Sequence, residues 1–148
     1  MNISIYSRDE AKSLINTGFP PNTAIISFYS PKDTKARDYS PLDYQSKPGR
    51  LMYICAPDID IEALSSFGLT YETYMADVDR LAEFVIKSIN DGLNIICQCD
   101  YGQSRSAACA AAILEYYEHN GISIFADYRY YPNQLVFNKI HEALLRQT

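Results

Sequence analysis

The sequence lacks several features that secreted, membrane and metal-binding proteins carry. Its first residues, MNISIYSRDE, have no long apolar stretch behind a basic start, and no window approaches the length of a membrane-spanning helix. Four cysteines without such a signal do not indicate a disulfide framework, and the two histidines, His119 and His141, do not form a ligand pair. We therefore expect a cytoplasmic protein that contacts no membrane and needs no metal and no cofactor.

Basic residues are also few. The chain of 148 residues has 13 lysines and arginines against 18 aspartates and glutamates, which gives a formal net charge of −5. A surface of this sign disfavours nucleic acid as a partner, so an anionic substrate would have to be captured by a local concentration of donors. The length suits one domain, residues 1–148, and a hydrophobic share of 47% is that of an ordinary folded protein.

Internal repeats, low-complexity tracts and linkers are absent as well, and what remains is an alternation of strands and helices. The patterns predict strands at residues 2–6, 22–30, 51–56 and 94–98, and helices at 8–16, 70–90, 106–118 and from Pro132 onward. We expect the polar stretch 31–50 to be an exposed loop. The alternation indicates an α/β fold, a single domain with a central, mainly parallel sheet flanked by helices. The apolar strand 94–98 should be central, with the ligand site at its carboxyl end.

The segment CDYGQSRS, residues 99–106, follows this strand and leads into the next helix. A loop at a helix N-terminus points backbone N–H groups inward and forms an anion site, and Gly102 permits the turn. Arg105 can offer two donors to phosphate oxygens. The same donors favour the thiolate of Cys99, which is then a nucleophile for phosphoryl transfer. The alternative is that Cys99 is a core cysteine and Arg105 a surface arginine. The expected phosphate-binding residues are Asp100, Tyr101, Gly102, Gln103, Ser104 and Arg105.

These residues carry a resemblance to a known family. C-D-Y-G-Q-S-R-S resembles the C-x5-R-[S/T] signature of the cysteine-based protein tyrosine phosphatases, especially the compact dual-specificity-like branch found in bacteria. The segments ISFYSPKD, LMYICAPDID and RYYPNQLVFNKIHEAL are similar to further landmarks of that family. The resemblance implies the phosphatase (C-x5-R) fold, a phosphocysteine intermediate and catalysis without a metal.

The resemblance also implies roles for residues around the motif. The family's general acid corresponds to Asp58, with Asp60 as the competing candidate and a plain turn role for both as the alternative. Ser106 would offer its hydroxyl to the departing thiolate, although serine is also common at helix starts. Gln98 stands where the family usually has histidine. Because glutamine cannot carry a charge, we expect weaker stabilisation of the thiolate and a slower reaction.

The expected function is hydrolysis of phosphate monoesters. The main substrate would be phosphotyrosine in proteins, with phosphoserine, phosphothreonine or a small phosphomonoester as further ones. A catalytically weak module that binds phosphorylated partners is the alternative outside enzymes. A related phosphatase acting on inositol phosphates or RNA 5′-phosphates is a third hypothesis. Asp100 argues against highly phosphorylated lipid headgroups, and the acidic balance argues against RNA. The sequence makes no prediction of oligomeric state.

Overall fold

Strands and helices alternate along the computed structural model, which describes residues 1–148 apart from the side chain of Asp33. The strands are β1 (Ile3–Tyr6), β2 (Thr23–Tyr29), β3 (Arg50–Cys55) and β4 (Asn94–Gln98). The helices are α1 (Arg8–Thr17), α2 (Val78–Asn90), α3 (Arg105–Glu118), α4 (Ile122–Phe125) and α5 (Gln134–Arg146), with short 3-10 helices at Lys32–Thr34 and Ile61–Phe67. Crossing a bilayer would need a longer and more apolar helix than any that the structure describes.

The four strands form one sheet in the order β1-β4-β2-β3. Strand β4 pairs with β1 on one side and with β2 on the other, so it lies inside the sheet, as its apolar sequence predicts. The weakly patterned β1 is an edge strand. All pairings are parallel, which confirms the α/β fold with a parallel sheet flanked by helices. The residues that follow β2, β3 and β4 therefore meet at one edge of the sheet.

Helices cover both faces of the sheet because side chains alternate along each strand. On one face Ile26 and Ile95 belong to the larger core cluster, which includes buried residues of α2, α3 and α5. On the other face Ile25 and Ile96 pack with α1 and with Tyr44. Helix α3 is alanine-rich and is buried from its first residue, Arg105, through Ile113. The fold thus fixes the start of α3 against the end of β4.

The stretch 31–50 is not the exposed loop that its polar composition predicts. Asp38, Leu42 and Tyr44 are all buried. Leu42 and Tyr44 complete the smaller core cluster, and Asp38 forms an ion pair with Arg105. The segment is therefore packed onto the sheet and onto the loop that follows β4.

Two helices begin later than the sequence predicts. Helix α2 begins at Val78 rather than near residue 70, and Met75 just before it has a φ of +51°. A left-handed residue interrupts a right-handed helix, so the residues before Val78 form turns. Helix α5 begins at Gln134, because the side chain of Asn133 accepts a hydrogen bond from the backbone N–H of Val136 and caps the helix. Pro132 lies before the cap.

Candidate active site

The loop between β4 and α3 is fixed from behind by the residues where β1 ends and α1 begins. The backbone N–H of Cys99 donates to the carbonyl oxygen of Tyr6 at 3.3 Å. The backbone N–H of Arg8 donates to the carbonyl oxygen of Asp100 at 2.9 Å. The edge strand β1 thus supports both the predicted nucleophile and the residue after it.

The loop carries backbone donors that have no carbonyl acceptor. Gly102 has a φ of +69°, and a Cβ there would lie 2.7 Å from the backbone nitrogen of Ser7, so both the turn and the close approach need glycine. The N–H groups of residues 100–104 donate to no carbonyl in the described part of the chain. The loop also stands at the N-terminus of α3, where the helix dipole favours negative charge. We call residues 99–105 the cradle, and it is suited to an anion.

Arg105 is buried at the end of the cradle, with 4% of its surface exposed, and is therefore not a surface arginine. Its Nη1 donates to Ser30 Oγ at 3.0 Å and to the carbonyl oxygen of Ala56 at 2.9 Å, and its Nη2 donates to Asp38 Oδ2 at 2.6 Å. Burial opposes the charged form, but the carboxylate of Asp38 and the sulfur of Cys99 raise the pKa of Arg105 above its ordinary value. Its Nε is buried and has no partner among the described residues. An anion in the cradle would supply the missing acceptor.

Cys99 is buried, and its sulfur lies 3.0 Å from the hydroxyl oxygen of Ser106. Behind it, Gln98 donates from Nε2 to the carbonyl oxygen of Cys99 at 2.9 Å. The Oε1 of Gln98 accepts hydrogen bonds from Tyr44, at 2.9 Å, and from Ser27. Because the carbonyl oxygen of Cys99 can only accept, the amide is oriented with Nε2 toward it and with Oε1 toward the two hydroxyls. Gln98 therefore holds the backbone of the predicted nucleophile without carrying a charge.

The two candidate acids differ in their partners. The Oδ1 of Asp58 accepts hydrogen bonds from Ser104 Oγ at 2.7 Å and from Asn133 Nδ2 at 2.8 Å. The side chain of Asp60 instead accepts from the backbone N–H of Ala63 and caps the 3-10 helix that follows. Only Asp58 of the two is in contact with the cradle, so the geometry favours Asp58 as the acid.

The other predicted phosphate-binding residues differ in exposure. Asp100 is buried, whereas Tyr101 is 66% exposed. Gln103 accepts a hydrogen bond on its carbonyl oxygen from the backbone N–H of Tyr131 at 2.8 Å, which ties the cradle to the segment before α5. Asp58, Asp100, Tyr101 and Arg105 line a cleft of about 340 Å³. The structure thus brings four of the nine predicted site residues to the lining of one cleft. The other five are not among its lining residues and lie in the adjoining loop or directly after it: Cys99, Gly102, Gln103, Ser104 and Ser106.

Several residues that hold the site were not singled out from the sequence. Ser30 and Asp38 bind Arg105, and the hydroxyl of Tyr74 donates to the carbonyl oxygen of Pro57, directly before Asp58, at 2.7 Å. Burial raises the pKa of Tyr74 above its ordinary value, so this hydroxyl stays a donor. For these residues the chain offers no local signal. Asn133 lies in the segment RYYPNQLVFNKIHEAL, which is similar to a landmark of the phosphatase family that the sequence resembles.

No family model and no curated protein sequence matches the chain. Its structure is similar to that of human DUSP28, with a TM-score of 0.60 and 17% identity, over 99% of this chain and 95% of that chain. PTPMT1 in complex with PI(5)P matches with a TM-score of 0.57 and 12% identity, over 98% and 91% of the two chains. A human tyrosine phosphatase-like serine/threonine/tyrosine-interacting protein matches with a TM-score of 0.52 and 16% identity, over 95% and 86%. The chain therefore has the fold of the cysteine-based protein tyrosine phosphatases, of the dual-specificity-like type.

Proposed function

We propose that the chain is a metal-independent, cysteine-dependent phosphatase that hydrolyses phosphate monoesters. The observation that carries the proposal is the cradle itself. The N–H groups of residues 100–104 have no carbonyl acceptor in the described structure, and Arg105 Nε is buried without a partner, all within the loop that begins at Cys99. A phosphoryl group has three oxygens that accept such bonds, and it would bring phosphorus to the sulfur.

In the first step the thiolate of Cys99 attacks phosphorus. The S–P bond forms while the bond from phosphorus to the leaving oxygen breaks, and Asp58 donates a proton to that oxygen. Ser104 and Asn133 both donate to Oδ1 of Asp58. This leaves Oδ2 as the oxygen that carries the proton. The developing charge on the equatorial oxygens is held by Arg105 and the cradle N–H groups.

In the second step water releases the phosphate. Asp58, now ionised, accepts a proton from the water, whose oxygen attacks phosphorus as the S–P bond breaks. The electron pair returns to Cys99 sulfur, where the hydroxyl of Ser106, 3.0 Å away, donates a hydrogen bond to the thiolate. Both half-reactions use the same acid-base group in opposite directions.

The proposed substrate is phosphotyrosine in proteins, with phosphoserine and phosphothreonine as further ones. The cleft is lined by the aromatic rings of Phe67 and Tyr101, and such rings suit contact with a phenyl ester. Because PTPMT1 has been solved with PI(5)P, a singly phosphorylated inositol headgroup belongs in the same test. Asp100 lines the cleft and offers no positive charge to a second phosphate group, so substrates with several phosphates are not proposed.

A binding module for phosphorylated partners is the second candidate function, and Gln98 is the observation that favours it. The amide of Gln98 orients the cysteine backbone but adds no positive charge behind the sulfur. A thiolate stabilised less would turn over more slowly while the cradle still binds phosphate. The two functions therefore differ in turnover, not in binding.

Hydrolysis of p-nitrophenyl phosphate separates these functions. We expect turnover by the wild type, no turnover by Cys99→Ser, and the same rates with and without EDTA. Cys55→Ser is the matched control, because Cys55 lies on the exposed end of β3 and should leave the rate unchanged. A wild type that binds phosphopeptides without hydrolysing any ester would overturn the phosphatase and support the module. The values of kcat/KM for a panel of compounds then rank the substrates. The panel contains phosphotyrosine, phosphoserine and phosphothreonine peptides, a monophosphoinositide and a 5′-phosphorylated RNA.

A further inference from the structure

A carboxylate lies within the cradle, where it opposes the binding of an anion. Asp100 directly follows the predicted nucleophile, is 5% exposed and lines the cleft. Its Oδ1 has no partner among the described residues. A negative charge at this position repels a phosphate dianion. The site can work as an anion cradle only if this charge is offset.

The offset comes from Arg37, in the segment that follows β2. Its Nε donates to Asp100 Oδ2 at 2.6 Å, and its guanidinium lies over the ring of Tyr101, 4.5 Å from the centroid. The hydrogen bond with Asp100 raises the pKa of Arg37, which stays charged. Within the described part of the chain, no other cation forms an ion pair with Asp100.

The next residue, Asp38, makes the complementary contact. It pairs with Arg105 at the other end of the cradle at 2.6 Å. Two consecutive residues of opposite charge therefore bind two cradle residues of opposite charge. The backbone N–H of Ser30 donates to the carbonyl oxygen of Asp38 at 2.9 Å and fixes this pair of residues beside the end of β2.

We propose that Arg37, which lines the cleft, is a positioning residue for phosphate binding and acts by neutralising Asp100. The inference rests on the proposed function, since it concerns phosphate binding by the same cradle. Two contacts support it: the Nε of Arg37 is committed to Asp100, and one face of its guanidinium is covered by Tyr101. Removing Arg37 alone would leave a buried carboxylate unpaired beside the phosphate, whereas removing both charges would leave the cradle neutral at this point.

The experiment measures binding of tungstate, a phosphate mimic, by titration calorimetry in the Cys99→Ser background. We expect Arg37→Ala to weaken tungstate binding about tenfold. The variant leaves the carboxylate of Asp100 unpaired, and its negative charge repels the anion at short distance, partly screened by solvent. Asp100→Asn should bind at least as tightly as its parent. The double variant should return to within about threefold of Asp100→Asn, since neighbouring charges couple strongly. In the wild-type background, Arg37→Ala should raise KM for p-nitrophenyl phosphate more than it lowers kcat.

Two further variants separate charge from shape. Arg37→Lys keeps the charge and should bind tungstate within about threefold of its parent. Lys35→Asn removes an exposed charge from the same segment and keeps a residue type that tolerates the φ of +59° at this position. It should leave binding unchanged.

A double variant that stays as weak as Arg37→Ala would overturn the proposal, because Arg37 would then act on the substrate or on the loop itself. Asp100→Asn also decides the question if Arg37→Ala fails to fold. Weaker binding by Asp100→Asn alone would mean that the carboxylate serves the ligand, and the proposal would be wrong. Failure of the proposed function would look different, because the wild type would then hydrolyse no ester. The order of the tungstate affinities among the variants would still test the role of Arg37.

Discussion

Replacing Gly102 by alanine tests how the cradle is supported, because the substitution adds a single methyl group. The new Cβ would lie 2.7 Å from the backbone nitrogen of Ser7 and 2.9 Å from the carbonyl carbon of Tyr6. These are backbone atoms at the end of β1 and at the cap of α1, and they cannot rotate away as a side chain can. The cradle must therefore move off the edge strand.

The expected magnitude follows from two terms. A left-handed residue with a Cβ costs roughly 1–2 kcal/mol, and overpacking against a rigid neighbour costs about 1–3 kcal/mol. Gly102→Ala should thus lower the free energy of unfolding by about 2–5 kcal/mol. A displaced cradle also presents its donors wrongly, and a misplacement of about 1 Å can cost about a hundredfold in rate. We expect a loss of that order in kcat/KM for p-nitrophenyl phosphate.

Gly92→Ala is the matched control. Gly92 has a φ of +78° with nothing within 4 Å of a new Cβ, and it precedes β4 at the end of the strand opposite the cradle. Gly92→Ala should lower the free energy of unfolding only by the cost of a left-handed residue with a Cβ, about 1–2 kcal/mol, and should keep its activity. Urea denaturation at equilibrium gives the free energies of unfolding. Equal losses in the two variants, or full activity in Gly102→Ala, would refute the reasoning.

Two further predictions concern the acid and two buried hydroxyls. Asp58→Asn should lower kcat about a hundredfold or more, because general acid catalysis is lost. Asp60→Ala should lose only a helix cap, which is worth about 1 kcal/mol of stability, and should keep its kcat. Equal losses of kcat in the two variants, measured by steady-state kinetics, would contradict this assignment. Burial raises the pKa of Tyr44 and Tyr74 above 10.0 in the folded chain. The unfolded chain releases these protons first, so the stability they contribute is present below about pH 10 and is lost as the pH rises further. The urea concentration at the midpoint of unfolding should therefore fall as the pH rises above about 10. It should fall less steeply with pH in Tyr44→Phe than in the wild type. The same dependence on pH in both proteins would contradict this prediction.

The sequence was most informative where residues that act together are also close in the chain. Asn94–Gln98 forms a strand with the predicted bounds, and α3 begins at Arg105, one residue earlier than predicted. A strand that is apolar along its whole length must be covered on both faces, which places it inside the sheet. Because β2, β3 and β4 are parallel, the carboxyl edge of the sheet could be predicted as the place of the site.

The supports of Arg105 could not be predicted in the same way. Asp38 and Ser30 lie 67 and 75 residues before it in the chain. In the polar stretch 31–50, nothing local distinguishes the buried Asp38 from the exposed Asp43. Only the pairing of β2 beside β4 brings the residues after β2 to the cradle. The ion pairs of Arg37 and Asp38 are therefore products of topology and not of pattern.

Asn133 shows how one side chain carries two tasks. As the cap of α5 it accepts on Oδ1 from the backbone N–H of Val136, a task that aspartate or serine performs equally well. An amide has two different ends, however, and capping with the oxygen leaves Nδ2 free to donate to Asp58 and to the carbonyl oxygen of Ile59. Aspartate or serine at this position could cap the helix, but neither side chain has a second, N–H-bearing end that could donate to Asp58 at the same time. This amide, 75 residues away in the chain, donates to Asp58, which supports the proposal that Asp58 is the acid.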